Sequence, residues 1–291
     1  MQDLKILIRE AGQNDSKDIF EWRNDLESRS MFINSDLVTF DEHDRWFSEA
    51  IRSPFKYIYI GEIGGKKIGI TRFDFDKKEH QTEVSININP NFRGKGYGKK
   101  LLIESINKFQ VENETTLVAR IKKKNIGSRK IFEYVGFVSL NINKNIISFK
   151  KPLSKISFKK VDVNDSKILF DLLKKRVHLI SHNLIPTYAN HKKFVESDPY
   201  QHWHLIYQDD EPIGYFYIQS DNSIGLNLIS FNLRNVKQTL KYIKNNFKHA
   251  SEVASKIPPY FYINAAYSNT DLIKVLTKLE CAPIQTSYKL Y

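Results

Sequence analysis

The sequence predicts an α/β protein in which a mixed sheet flanked by helices occurs twice in tandem. Three observations carry that expectation. The first is a strand, turn and helix signal: Glu83-Val84-Ser85-Ile86-Asn87-Ile88-Asn89 alternates polar and apolar residues, and Pro90 ends the ladder. The turn Asn91-Phe92-Arg93-Gly94-Lys95-Gly96-Tyr97-Gly98 then opens into an apolar-periodic helix. The second is an internal repeat. Ile6 to Trp22 (ILIREAGQNDSKDIFEW) and Ile156 to Leu172 (ISFKKVDVNDSKILFDL) share Asn-Asp-Ser-Lys at the start of an amphipathic helix. The third is composition: 291 residues with 41% apolar and 13% aromatic side chains are enough for two ordinary cores.

The repeat extends beyond its first strand and helix. His43-x-x-Trp46-Phe47 is echoed by His191-x-x-Phe194-Val195, and Pro54…Ile68-Gly69 by Pro199…Ile213-Gly214. Asn125 with its helix corresponds to Asn269 followed by Thr270 to Leu276. Lys150 to Lys155, with Pro152, is the expected link, which gives domains of 1–150 and 155–291.

The glycine-rich turn is a candidate pyrophosphate cradle. Glycines let backbone N–H groups approach an anion, the helix start contributes a favourable dipole, and Arg93 and Lys95 bring positive charge. Neither the P-loop spacing nor the dinucleotide-binding spacing of glycines fits. After it come the strand Thr116 to Ile121 and then Asn125-Ile126-Gly127-Ser128-Arg129-Lys130-Ile131-Phe132-Glu133-Tyr134-Val135-Gly136-Phe137. In this order and spacing, residues 1 to about 150 resemble the GNAT acyl-CoA N-acyltransferases. That resemblance implies a mostly antiparallel, twisted sheet with flanking helices, acetyl-CoA as acyl donor and direct attack of an amine on the thioester. It also implies a V-shaped gap where the Glu83–Ile88 strand splays from the next, so that Ile86 and Ile88 pair with the pantetheine arm. Arg93, Gly94, Lys95, Gly96, Tyr97 and Gly98 would hold the pyrophosphate, and Asn125 and Ser128 would face the donor.

Glu83 is the candidate general base, because a partly buried carboxyl can be raised towards neutrality; a solvated strand carboxylate is the alternative. Asn125 has two roles open to it, contact with the donor or a bound water, and the N-cap of its own helix. Phe132 stands where many relatives carry a Tyr that protonates the thiolate, and it has no proton to give.

For the acceptor, Trp22-Arg23-Asn24, Arg29-x-Met31-Phe32 and Glu42-His43-x-x-Trp46-Phe47 resemble the GNAT branch that acetylates nucleotide-linked deoxyamino sugars in surface-glycan pathways, as in pseudaminic acid synthesis. Trp22 and Trp46 would stack on a base or sugar face, Arg23 and Arg29 would fork a diphosphate, His43 would hydrogen-bond the acceptor, and Asn24 and Met31 would belong to the same site. The aromatic residues fit helix cores equally well, and His43 fits a structural contact equally well, given its echo at His191. Acetylation of a protein or peptide amine and noncatalytic sensing of CoA or a sugar nucleotide are the competing functions.

The second copy lacks glycines where the cradle belongs: Asn227 to Lys237 reads NLISFNLRNVK. It is expected to be degenerate, and to pack against the first copy, complete the substrate cleft or form a homodimer contact. A net charge of +12 without an arginine-rich tail or nucleic-acid motif reads as a solvated surface plus polyanionic small ligands, not nucleic acid or membrane. A single cysteine, Cys281, excludes a Cys-rich zinc site, so no metal is expected. The absence of a signal-type h-region or a long apolar run points to the cytoplasm.

Overall fold

The computed structural model describes residues 6–176 and 185–286. They divide into two compact units at Leu153/Ser154, with residues 110–113 grouped with the second. The first unit runs β1 (Leu7–Glu10), α1 (Ser16–Asn24), α2 (Leu26–Met31), α3 (Phe40–Ala50), β2 (Lys56–Ile63), β3 (Lys66–Asp76), β4 (Gln81–Ile88), α4 (Tyr97–Gln110), β5 (Thr116–Lys122), α5 (Ile126–Tyr134), β6 (Val138–Asn143) and β7 (Ile146–Lys151). Its sheet has the order β1-β2-β3-β4-β5-β7-β6 and is antiparallel except between β4 and β5. The fold is thus mixed α/β with a mostly antiparallel sheet, as expected.

Local chemistry accounts for the elements that shape the cleft. Gly64 and Gly65, at φ +55° and +74°, make the two-residue turn that joins β2 to β3, a geometry matched to strand twist. Thr39 and Glu42 form a reciprocal capping box at the start of α3, with Thr39 N–H donating to Glu42 Oε2 over 2.9 Å. Pro90 begins the 3₁₀ turn Pro90–Phe92 that ends β4. The core beneath the sheet includes Phe73 and Phe109, stacked with centroids 4.5 Å apart, together with Phe132 and Phe149. Each such ring contributes about 1.5–3 kcal/mol by leaving water.

The second unit runs β8 (Ile156–Lys160), α6 (Ser166–Lys174), α7 (Tyr188–Glu196), β9 (His202–Gln208), β10 (Glu211–Ile218), β11 (Ser223–Leu228), α8 (Leu233–Asn246), β12 (Tyr262–Ile263) and α9 (Thr270–Lys278). Its sheet order is β12-β11-β10-β9-β8, with only the β11–β12 pair parallel.

In both units the first strand leads through a 3₁₀ turn into a helix that begins at Ser16 or Ser166, and the aspartate before that serine is buried. Asp15 bonds Arg9 and Lys67, each at 2.7 Å, and Asp165 bonds Lys159 at 2.6 Å. Burial alone would raise the Asp15 carboxyl. Hydrogen bonds from Arg9, Lys67 and the Gly12 N–H outweigh it and hold the group far below the usual carboxylate range.

Candidate active site

β4 and β5 pair only over Gln81–Glu83 and Thr116–Val118. Beyond Glu83, β4 keeps its ladder to β3 alone, while β5 continues against β7. The two strands therefore part just past Glu83 and leave one edge of Val84–Ile88 without a strand partner. Backbone donors and acceptors along such an edge can pair with an extended ligand. Two cavities, of about 470 and 420 Å³, meet at this gap and share Met31, Phe32, Ile86, Asn87, Asn125 and Ser128.

The smaller cavity lies over the glycine-rich turn. Gly94 and Gly96 have φ of +71° and +78°, and a Cβ at either would meet nothing within 4 Å. Glycine is required there by backbone conformation, not by crowding. Gly96 immediately precedes Tyr97 at the start of α4 and has no side chain with which to cap the first-turn N–H groups. Gly98 also lines the cavity, but its missing Cβ serves packing, because that atom would lie 2.6 Å from Ile131 Cδ1 on α5.

The charges around this turn differ from expectation. Arg93 lines the cavity, yet its guanidinium is bonded to Asp25 (2.6 Å), Glu27 (2.9 Å) and Ser28 Oγ (2.5 Å) around α2. Lys95 does not line it; its Nζ donates to Asn91 O over 2.9 Å and lies 5.3 Å from the Phe92 ring centroid. Lys99 and Lys130 supply the positive wall instead. Asn125 caps α5, its Oδ1 accepting from Ser128 N–H at 3.0 Å, and both residues face both cavities. One side chain thus holds the cap while standing at the gap.

The larger cavity brings together Arg23, Met31, His43, Trp46, Glu83 and Asn125 from the expected residues. Glu83, the candidate base, is ion-paired in this cavity. Arg120 holds it in a two-pronged pair, Nε to Oε1 at 2.9 Å and Nη2 to Oε2 at 2.8 Å. Both carboxylate oxygens are thereby engaged. His43 is buried, stacks on Phe47 and places Nε2 2.9 Å from Ser16 O, so Nε2 carries the hydrogen and donates. Burial pushes its pKa below the usual imidazole value. Phe132 closes part of the wall with an apolar ring.

Three expected acceptor residues lie elsewhere. Trp22 is a core side chain at 6% exposure beside Ile19, Phe47 and Ile58, and only its carbonyl reaches towards the gap, accepting from Asn87 Nδ2 at 3.1 Å. Asn24 staples the chain to Val38, donating to its carbonyl at 2.7 Å and accepting from its N–H at 3.1 Å. Arg29 donates from Nε to Asn24 O at 3.2 Å and lines neither cavity. Arg72, Asn87 and Arg120 also line the larger cavity and are not among the expected residues. Arg72 alternates with buried Thr71 and Phe73 on β3, so the period of two marked its face. Arg120 reaches Glu83 diagonally across a parallel ladder whose register no local pattern reveals.

The acetyltransferase (GNAT) domain family matches residues 5–138. Among curated proteins, the chain is 33% identical over 67 residues to a [ribosomal protein bS18]-alanine N-acetyltransferase of Haemophilus ducreyi, covering 23% of this chain and 46% of that protein. It is 28% identical over 109 residues to the L-amino acid N-acyltransferase MnaT of Escherichia coli, covering 36% and 63%. An L-methionine sulfoximine/L-methionine sulfone acetyltransferase of Pseudomonas aeruginosa is 25% identical over 135 residues, covering 45% and 78%. The chain thus spans about half to two thirds of the length of the first two. Among solved structures, spermidine N-acetyltransferase from Vibrio cholerae in complex with CoA and spermine superposes with a TM-score of 0.45 at 17% identity, covering 50% of this chain and 92% of that one. Among the described residues, no helix is long and apolar enough to cross a membrane and no group of three or more His, Cys, Asp or Glu is placed to hold a metal ion. Residues 5–138 are thus similar to acetyltransferase (GNAT) domains, whose members draw their acyl group from acetyl-CoA.

Proposed function

We propose that the first unit transfers the acetyl group of acetyl-CoA to an amine of a nucleotide-linked deoxyamino sugar, by direct attack of the amine on the thioester. The observation that carries the reading is the parting of β4 from β5 past Glu83, with two cavities meeting there. The cavity over Gly94 and Gly96 offers the start of α4, preceded by a residue without a side chain, to a diphosphate, flanked by Lys99 and Lys130. The exposed edge of β4 would take the pantetheine arm and give an N–H to the developing oxyanion. Glu83 would accept the ammonium proton, directly or through water, while Arg120 keeps the carboxylate oriented. With Phe132 at the wall, the thiolate would take its proton from solvent or from the attacking amine.

The acceptor would occupy the larger cavity. Its aromatic walls Trp46 and Phe32 each carry an arginine, Arg72 at 5.5 Å and Arg23 at 4.8 Å from the ring centroids, a surface suited to a flat ring beside an anionic group. A second reading, an L-amino acid acceptor, is favoured by the names of two curated relatives. Residues 155–291 would be a degenerate copy whose glycine-free turn does not hold the donor.

Release of free CoA from acetyl-CoA, measured across UDP- and dTDP-linked amino sugars, L-amino acids and peptides, tests these readings. Turnover with a sugar nucleotide alone is the expected result. Turnover with amino acids or peptides alone would replace the acceptor, and donor binding without any turnover would make the protein a sensor.

A further inference from the structure

Three arginines face the larger cavity, and they are not equivalent. Arg120 is neutralised by Glu83 at 2.8 Å, and Arg72 lies 2.8 Å from Asp74. Arg23 has no carboxylate within ion-pair distance among the described residues. Its Nη2 donates to Asn34 O at 3.0 Å, while Nη1 is buried with no hydrogen-bond partner. A buried guanidinium N–H without an acceptor is costly, since such a group forfeits water and gains nothing in exchange. The Phe32 ring, 4.8 Å from Arg23 Cζ, supports the guanidinium from one face, so the group is held in place at the cavity wall.

We propose that Arg23, assisted by Arg72, is the subsite that fixes an oxyanion of the acceptor, a carboxylate or phosphate group carried alongside the reacting amine. This rests on the acyltransferase reading of the cleft and sharpens its substrate class. One oxygen of the ligand would accept from the Arg23 guanidinium; its Nη1 and the neighbouring Arg72 Nε are both left without a hydrogen-bond partner in the protein itself. The surroundings favour an anion there. Burial first, and then the positive fields of Arg29 and Arg72, push the Arg23 pKa below the usual guanidinium value, with Asp36 acting in the opposite direction. Glu42, the other carboxylate on this wall, is already engaged by the N–H and hydroxyl of Thr39. Arg29, the partner that the sequence suggested for Arg23, is turned to Asn24 O, and Arg72 on β3 takes its place.

The test is calorimetric titration of the full chain and of Arg23→Gln and Arg23→Lys with UDP, L-methionine sulfone and L-methionine sulfone methyl ester. Each titration is run with and without saturating CoA, and the CoA Kd is measured separately. UDP reports a phosphate source, the amino acid a carboxylate source, and the ester a ligand with its oxyanion blocked. Loss of one charge-assisted hydrogen bond should weaken whichever oxyanion binds by about tenfold or more in Arg23→Gln. Arg23→Lys should recover part of it, and CoA affinity and the ester should not change. An oxyanion bound equally well by parent and Arg23→Gln, or neither oxyanion bound by the parent, would overturn the proposal. Binding of L-methionine sulfone but not UDP would keep the subsite and remove the sugar-nucleotide acceptor. Failure of the parent to bind CoA would remove the acyltransferase reading, while the titrations without CoA still judge Arg23.

Discussion

β4 and β11 follow the same course and end differently. Each pairs in parallel with a neighbour for a few residues, Gln81–Glu83 with Thr116–Val118 and Ser223–Ile224 with Tyr262–Ile263, and then keeps only its antiparallel partner. After β4 the chain turns through Gly94 and Gly96 at positive φ into α4, where Gly96 has no side chain to offer the helix start. After β11 it reaches Asn232, whose Oδ1 accepts from Asn235 N–H at 2.9 Å and caps α8. One helix start is capped by its own Asn232; the other is preceded by a glycine that has no side chain to cap it.

The strands beside them differ in the same sense. In the first unit Arg72 stands opposite Ser85 at the cavity wall. In the second, Tyr217 stands opposite Gly225 and its ring lies where a Cβ at 225 would sit, stacked 3.9 Å from the Tyr200 ring. The same splayed strand pair thus carries different side chains in the two units.

The largest way to sharpen this contrast is Glu83→Gln. With Glu83 as proton acceptor, kcat should fall by about 10²–10⁴ while acetyl-CoA affinity is unchanged. Steady-state kinetics together with donor titration would show it, and an unchanged kcat would remove Glu83 from the chemistry.

Acid should act through the second unit. Burial first, then the nearby His202 and Lys160, push the His204 pKa down to about 4. The unfolded chain takes up this proton near 6.5, so between those values it binds more protons than the native state. Stability is then full above about pH 6.5 and is lost as pH falls towards 4, by up to about 3 kcal/mol. Denaturant melts across that range should show the slope, and His204→Phe should flatten it. His43 is lowered in the same direction in the first unit, so a residual slope should remain.

The smallest effect is Asn232→Ala. Loss of the cap should cost about 0.5–2 kcal/mol in a denaturant melt and leave acetyl-CoA affinity unchanged. A change in donor affinity would break the contrast, because it would place the donor at the second unit.

Parts of this site were legible in the sequence for a physical reason. Positive φ at Gly94 and Gly96 and the cap at Asn125 depend on near neighbours, so the chain spells them locally. The pairs Arg120–Glu83 and Arg93–Asp25 join residues far apart in sequence, and only the assembled sheet and helix bring them together. Trp22 illustrates a different limit. Helical periodicity places it on an apolar face without saying whether that face meets a ligand or the core, and it meets Phe47 and Ile58. The Trp-Arg-Asn resemblance assigns Asn24 to the acceptor, but its partner, Val38, lies in the loop ahead of α3.

The central claim is that backbone at the end of β4 grips the diphosphate of the donor. Calorimetric titration of acetyl-CoA into the full chain and into Gly96→Glu tests it most directly. Glutamate there adds strain at φ +78° and a negative charge at the helix start. The account predicts one donor site per chain, with affinity reduced by about a hundredfold or more in the variant. Equal affinity in the two proteins would contradict it.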